Sequence, residues 1–489
     1  MKTIVWFRRD LRLSDNPALY HAASAGKVIP VFIYDPGADG PYPPGGASRW
    51  WLHHSLASLQ RDICARNNNL IIRHGDTAET IIELCCQSGA DKVYWNDCYE
   101  PTALALANRV TTALNAHGIE QKNFNGQLFY KPGTVLNKSA KPYRVFGAFW
   151  KACLQRGIPL EILTEPASMS TTDHRLESLS LEKLALLPSN PWHNKLKTSW
   201  NVGEAHAHEQ LDAFCEDSIQ TYTISRDYPA ESATARLSPH LHFGEISVRQ
   251  IAVRLEACVA TNTEPGILKT GEHFLRQLGW REFAHHLLVH FPDTVREPFD
   301  LKYKAFPYIN DQDALTAWKQ GKTGFPIIDA GMRELWQTGS MHNRVRMIVA
   351  SLLTKHAQIH WLDGARWFWD TLVDADLANN TMNWQWVAGC GVDAAPYFRI
   401  FNPIRQSEKF DPKGRYLRKW LPELSRLPHK HIHAPWLAPH SLLTETGIAL
   451  GETYPRPILD LAAGRDQALT NYRRYIQRPI AQDDLMRLE

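Results

Sequence analysis

The chain has 489 residues, a formal net charge of +3, 44% hydrophobic residues and 21% charged residues. That composition excludes a disordered or fibrous protein, and the length exceeds one compact core, so two or three domains are expected. The charge is too mild to identify a nucleic-acid partner by itself, and the eight cysteines form no CxxC pair, which argues against a zinc ribbon or an iron–sulfur cluster and fits a reducing, cytoplasmic setting.

The opening "MKTIVWFRRDLRLSD" places arginines and an aspartate where a signal peptide needs an apolar core. No run of 18 apolar residues occurs, so no membrane span is expected. Four short β-branched runs follow: 3–7 "TIVWF", 27–35 "KVIPVFIYD", 69–76 "NLIIRHGD" and 91–97 "DKVYWND". Helical stretches separate them, among them "ASRWWLHHSLASLQRDICARN" and "PTALALANRVTTALNAHG". This alternation predicts an α/β domain over 1–129 with a doubly wound, Rossmann-like parallel sheet. Gly-x-Gly-x-x-Gly is absent, so topology alone places any ligand at the carboxyl ends of the strands. Residues 130–204 carry Ser, Thr and Pro without a sustained period and read as a long, partly ordered connector. From 205 to 489 the periodicity is helical, as in "GEHFLRQLGWREFAHHLLVHF" and "MHNRVRMIVASLLTKHAQIHW". The expected fold class is therefore α/β plus all-α.

Seventeen tryptophans are unusual and read as large cores, stacking surfaces or redox relays. Trp384 and Trp386, two apart in a loop or helix start, point in different directions, so one faces inward and the other a cleft. Gln277, Trp280, Arg281 and Ala284 form one helical stripe, and Asn343 and Met347 share a face, as do Arg344 and Ile348. Taken singly, each strip reads as an interhelical polar contact; together with the tryptophan-rich stretch 379–403 they point to a shared pocket. "TARLSPHLHFGEIS" offers hydroxyls and backbone N–H groups before a helix, a setting for a pyrophosphate or for routine capping. From Arg399 to Lys419 seven basic residues face two acidic ones, which fits a solvated loop face and a phosphate-facing rim equally.

Several stretches together resemble the DNA photolyase and cryptochrome family: "VWFRRDLRLSDNPAL", "TARLSPHLHFGEIS", "GWREF", "WKQGKTGFPIIDAGMREL", "MHNRVRMIVASLLTK", "DLANNTMNWQW" and "DAAPYFRIFNP". The resemblance covers both halves and is most specific over 222–425. "MHNRVRM" is similar to the version that repairs cyclobutane pyrimidine dimers. The resemblance implies FAD in the helical domain and an antenna chromophore in the α/β domain: methenyltetrahydrofolate, with Glu100 in the contacting position, or a deazaflavin, or none. It implies light-driven electron transfer from reduced FAD to dimers flipped out of DNA. The flipping step comes with the resemblance, since photolyases as a class take their target out of the stack. A blue-light photoreceptor without repair is the alternative; a monomer suits an enzyme that must scan duplexes, and no membrane partner is expected.

Site roles follow from the same resemblance. Tyr222, Thr234, Ala235, Arg236, Leu237, Ser238 and Phe274 correspond to the FAD cradle, with alanine at 235 where serine is common. Asp374 and Asp376 correspond to carboxylates near flavin and ribose, Asn380 to the amide beside flavin N5, and Arg281 and Asn343 to flavin or substrate contacts. Trp280 and Trp386 correspond to lesion-stacking walls and Met347 to a dimer contact, with Arg226, Arg344 and Arg399 meeting phosphates or the rim. Trp384 and Trp361 match the inner donors of a tryptophan chain, and Tyr308 stands where its outer tryptophan is expected, with Trp367 or Trp369 as substitutes. Gln277 replaces the usual glutamate of dimer-repairing relatives, so weaker repair is expected. No metal is implied.

Overall fold

The structure is a computed structural model that describes residues 1–169, 176–262, 264–394 and 399–477. The described residues divide into two compact units. One comprises those of Met1–Ile224, Ala233–Pro292 and Trp369–Asn379; the other comprises Ser225–Ser232, Asp293–Phe368 and the described chain from Asn380 onward.

The first unit is built on five parallel strands: β1 (Lys2–Phe7), β2 (Lys27–Tyr34), β3 (Ile71–His74), β4 (Lys92–Asn96) and β5 (Glu120–Phe124). Their order is β3-β2-β1-β4-β5, a doubly wound arrangement as the alternating pattern predicts. Side chains alternate across the pleat. Ile4 and Trp6 of β1 join one core with the helices Thr77–Ser88 and Pro101–Ala116. Val5 and Phe7 join the opposite core with the helices Pro17–Ala25 and Gly46–Cys64. Burial on both faces is why β1 reads as a continuous apolar run. β5 was not anticipated, because "EQKNF" is mostly exposed and polar, as suits an edge strand.

Within 130–204 lie a helix at Phe146–Arg156 and short turns, and Met169, Leu181, Leu184, Leu186 and Leu196 bury in the sheet's second core. Residues 170–175 of the expected connector lie outside the described residues. A third core gathers Phe129, Leu211, Phe214, Tyr222, Leu255, Phe274 and Leu278 around the long helix Ile267–His290.

The second unit is helical, and no named strand occurs among its described residues. "MHNRVRMIVASLLTKHAQIHW" does not form one helix. An α-helix over Asn343–Ser351 widens into a π-turn over Leu352–His356. Trp384 and Trp386 sit inside the helix Leu377–Ala388, not in a loop or at a helix start. Two residues on a helix diverge by about 200°; Trp384 is accordingly buried and Trp386 half-buried. Among the described residues no helix is long and apolar enough to cross a membrane.

Candidate functional site

In the first unit, the turn 234–238 alternates in burial: Ala235 and Leu237 point inward, while Arg236 and Ser238 are exposed. Arg236 holds a left-handed backbone (φ 50°), which non-glycine residues seldom adopt and which clusters at ligand clamps. Its guanidinium lies 4.2 Å from the Trp200 ring centre and donates to the Ser199 carbonyl (3.2 Å), so the backbone, not this side chain, lines the turn. The helix that follows, Ser238–Phe243, has six residues; its local N–H groups matter more than any macrodipole. Ser238 Oγ donates to Asp374 Oδ2 at 2.6 Å, which joins two expected cofactor residues. Tyr222 and Phe274 meet edge to face at 5.4 Å, both against Phe214.

Asp376 is buried. Its Oδ1 accepts from the Asn379 backbone N–H (2.8 Å) and side-chain Nδ2 (2.7 Å); its Oδ2 lies 3.5 Å from His285 Nε2 and 3.8 Å from His242 Nδ1. Burial works against its charge, yet His285 and His242 outweigh burial and hold the carboxyl well below the usual range. Burial likewise opposes a charge on His285, and Asp376 overcomes it, raising the imidazole above its ordinary value. Burial keeps His242 low despite the same carboxylate. Neither histidine was singled out in the sequence. Arg281 is buried with Nη1 donating to the Gln127 carbonyl (2.8 Å) and Nη2 to that of Leu241 (3.4 Å).

On the same helix Gln277 and Trp280 are half-buried, whereas Arg281 and Ala284 are buried, so the expected stripe dips inward along its length. Gln277 Nε2 donates to the His273 carbonyl one turn back, at 3.1 Å. Glu100 follows β4 and pairs with Arg9, which follows β1. The order of the sheet reverses between these two strands, so the pair occupies the topological switch point. Glu100 is 4% exposed, and its Oε2 has no hydrogen-bond partner. Burial opposes its charge, but Arg9 keeps its carboxyl below the ordinary value.

In the second unit, Trp384 is 3% exposed and meets Phe368 (5.0 Å) and Trp318 (6.2 Å) edge to face. Its ring rests on Gly364; a Cβ there would lie 2.1 Å from the indole. Trp361, one turn before Gly364, is fully buried, and its Nε1–H has no hydrogen-bond partner. His360 stacks on Trp361 (5.7 Å, 29°) and meets Tyr308 edge to face (4.5 Å). The rings Trp361, His360 and Tyr308 thus form a contiguous row, and Tyr308 is half-buried. Burial, with Cys390 and Tyr303, raises the Tyr308 phenol well above its ordinary value. Trp367 stacks on the partly exposed Trp336 (5.9 Å, 7°). Trp369 belongs to the first unit and donates to the Pro43 carbonyl there. Asn380 is half-buried and donates to the Ala365 carbonyl (3.0 Å).

Asn343 is exposed, and Met347 is half-buried one turn further on. Arg344 pairs with Asp227 (2.7 Å) and lies over Phe410, neither of them a contact that the sequence pattern signals. Arg226 is half-buried and Arg399 exposed; residues 395–398 of "DAAPYFRIFNP" lie outside the described residues. Of the other basic side chains, Arg418 donates to the carbonyls of Ser425 and Leu427, and Arg415 pairs with Glu231. Arg405, Lys409, Lys413 and Lys419 are exposed. Gln385, between the two tryptophans, accepts from Phe299 N–H and donates to the Thr294 and Glu297 carbonyls, a buried strut.

Residues 3–168 match the DNA photolyase family model, and residues 274–474 match the FAD binding domain of DNA photolyase. The chain is 44% identical to the deoxyribodipyrimidine photo-lyase of Agrobacterium fabrum, covering 96% of this chain and 97% of that protein. It is 39% identical to cryptochrome-2 of Arabidopsis thaliana, covering 95% and 78%. A bacterial class III photolyase from Agrobacterium tumefaciens superposes with a TM-score of 0.93 at 43% identity, covering 98% of each chain. The chain belongs to the DNA photolyase and cryptochrome family.

Proposed function

We propose that this protein is a light-driven deoxyribodipyrimidine photo-lyase that binds FAD and splits cyclobutane pyrimidine dimers in DNA, acting as a monomer in a reducing, cytoplasmic compartment. The observation that carries this reading is 44% identity with a deoxyribodipyrimidine photo-lyase across nearly the whole of both chains. When bound and reduced, FAD supplies the light-excited electron for ring opening. The residues at hand fit the group. The turn 234–238 offers backbone N–H groups in a constrained conformation, and Thr234 adds a hydroxyl. Asp374 fixes Ser238, and Asp376 stays ionised among His285, His242 and Asn379. Asn380 would meet the flavin as an uncharged amide, and Asn343 would lie at flavin or substrate.

Trp384 and Trp361 serve as internal donors. The Trp361 N–H has no acceptor, so an oxidised Trp361 cannot readily shed its proton and instead draws an electron from a neighbour. Tyr308 is that neighbour, reached through His360. His360 Nδ1 accepts from the Leu362 N–H (3.2 Å), so the neutral ring carries its proton on Nε2 and is a poor base toward Tyr308. The phenol proton therefore leaves to solvent.

For the lesion, Trp280 and Trp386 each offer a partly exposed indole for stacking, and Met347 an apolar contact. Arg226, Arg344 and Arg399 face the phosphates, Arg344 with its charge partly met by Asp227. A folate antenna at Glu100 would engage Oε2, the oxygen that Arg9 leaves over. Gln277 is the observation that favours a photoreceptor, since it supplies neither charge nor proton to a thymine carbonyl. Blue-light irradiation of dimer-containing oligothymidine, against a dark control, decides between the two. Light-dependent recovery of thymine absorbance is expected; a flat trace with fully reduced flavin would refute the photolyase.

A further inference from the structure

Trp280 is half-buried, and one face of its indole is already taken. The Phe146 ring lies parallel to it, with centres 3.6 Å apart and planes 11° from coplanar. Phe146 opens the helix Phe146–Arg156 and is 1% exposed. Several contacts fix that ring. Phe283 meets both Phe146 (5.8 Å) and Trp280 (6.1 Å) edge to face. The Arg276 guanidinium lies 4.9 Å from the centre of the Phe146 ring. The two helices approach closely at Gly279, where a Cβ would lie 2.6 Å from the Trp150 ring. Trp280 thus has a ring plane fixed by Phe146 and Phe283, and the residue stays partly exposed.

We infer that Phe146 is a positioning residue for DNA recognition: it backs Trp280, sets the angle of the indole, and limits it to stacking one base of the extruded dimer on the opposite face. This rests on the photolyase reading of Trp280. A freely rotating indole would have to be ordered on binding, whereas a backed one is ordered in advance, and the edge-to-face contacts of Phe283 with both rings hold the stack in place. The effect belongs in affinity for damaged DNA, because Phe146 is shielded from substrate and transfers no electron.

The test uses the full chain with FAD bound. Phe146→Leu keeps apolar bulk without the flat plate, and Phe146→Tyr restores the plate. Affinity for dimer-containing and undamaged oligothymidine is measured in the dark, and repair rate is measured at saturating DNA under light. Phe146→Leu should weaken binding of the dimer by about three- to tenfold. Its flavin content, its affinity for undamaged DNA and its saturated repair rate should match those of the parent, and Phe146→Tyr should recover the loss. In a Trp280→Ala background the Leu substitution should add no further loss. The inference is overturned if Trp280→Ala abolishes the preference for dimers while Phe146→Leu leaves it intact. An equal loss from Phe146→Leu with and without Trp280 overturns it too, by exposing a general packing defect. Failure of the parent protein to prefer or repair dimers would instead remove the photolyase reading, and this inference with it.

Discussion

Replacing Asp376 separates the charge it carries from the hydrogen bonds it accepts. Asp376→Ala removes the acceptor of both Asn379 amide groups and the counter-charge of His285. Removing one partner of a buried pair costs about 3–5 kcal/mol. Asp376→Asn keeps an amide oxygen for Asn379, and its N–H₂ can face a neutral His285 Nε2, so the loss should be about 1–2 kcal/mol. The pH dependence separates these accounts further. His285 is raised, so its share of stability is complete below its unfolded value of about 6.5 and is lost as pH rises through its folded value. Asp376 is depressed, so its share is present above about 3.9 and is lost as pH falls through its folded value. The gap between parent and Asp376→Asn should therefore narrow as pH climbs above about 6.5. Urea denaturation followed by flavin release, at several pH values, measures both quantities. Equal destabilisation by Ala and Asn, or a gap that does not move with pH, would refute the ion pair.

Trp361→Phe and Trp384→Phe should each reduce light-driven flavin reduction to background while enzyme reduced chemically beforehand still repairs dimers; transient absorption and a repair assay report these separately. Tyr308→Phe should slow photoreduction, and deuterated solvent should slow the parent, because the phenol proton must depart with the electron; unchanged rates in both would move the exit to another aromatic, such as the Trp336–Trp367 pair. Gln277→Glu gives up the bond to the His273 carbonyl and supplies a carboxyl, so repair yield per absorbed photon should rise; an unchanged yield would show that the amide suffices.

The sheet was legible where a strand is buried on both faces, because β1 from Ile4 to Phe7 and β2 from Val28 to Ile33 are then continuously apolar. β5 was not, since an edge strand of polar residues carries no such signature. The chemistry-bearing residues stood out by type and by motif, but their partners did not. His242 and His285 reach Asp376, Asp227 reaches Arg344, and Arg9 reaches Glu100, each from a distant part of the sequence. No periodicity encodes contacts of that kind. His360 was within reach of sequence reasoning, being adjacent to Trp361, yet only the geometry shows that its ring also meets Tyr308.

The link between Arg9 and Glu100 has a bearing on pigment capture. In an open α/β sheet the crevice where the strand order turns around is the usual berth for a guest. Here the molecule has moored two of its own side chains in that berth, the carboxylate of Glu100 buried and the guanidinium of Arg9 partly exposed. A visiting chromophore would meet a carboxylate that Arg9 already holds by one oxygen, with the second left unpartnered, so its occupancy should respond to Arg9 through the set of that carboxylate.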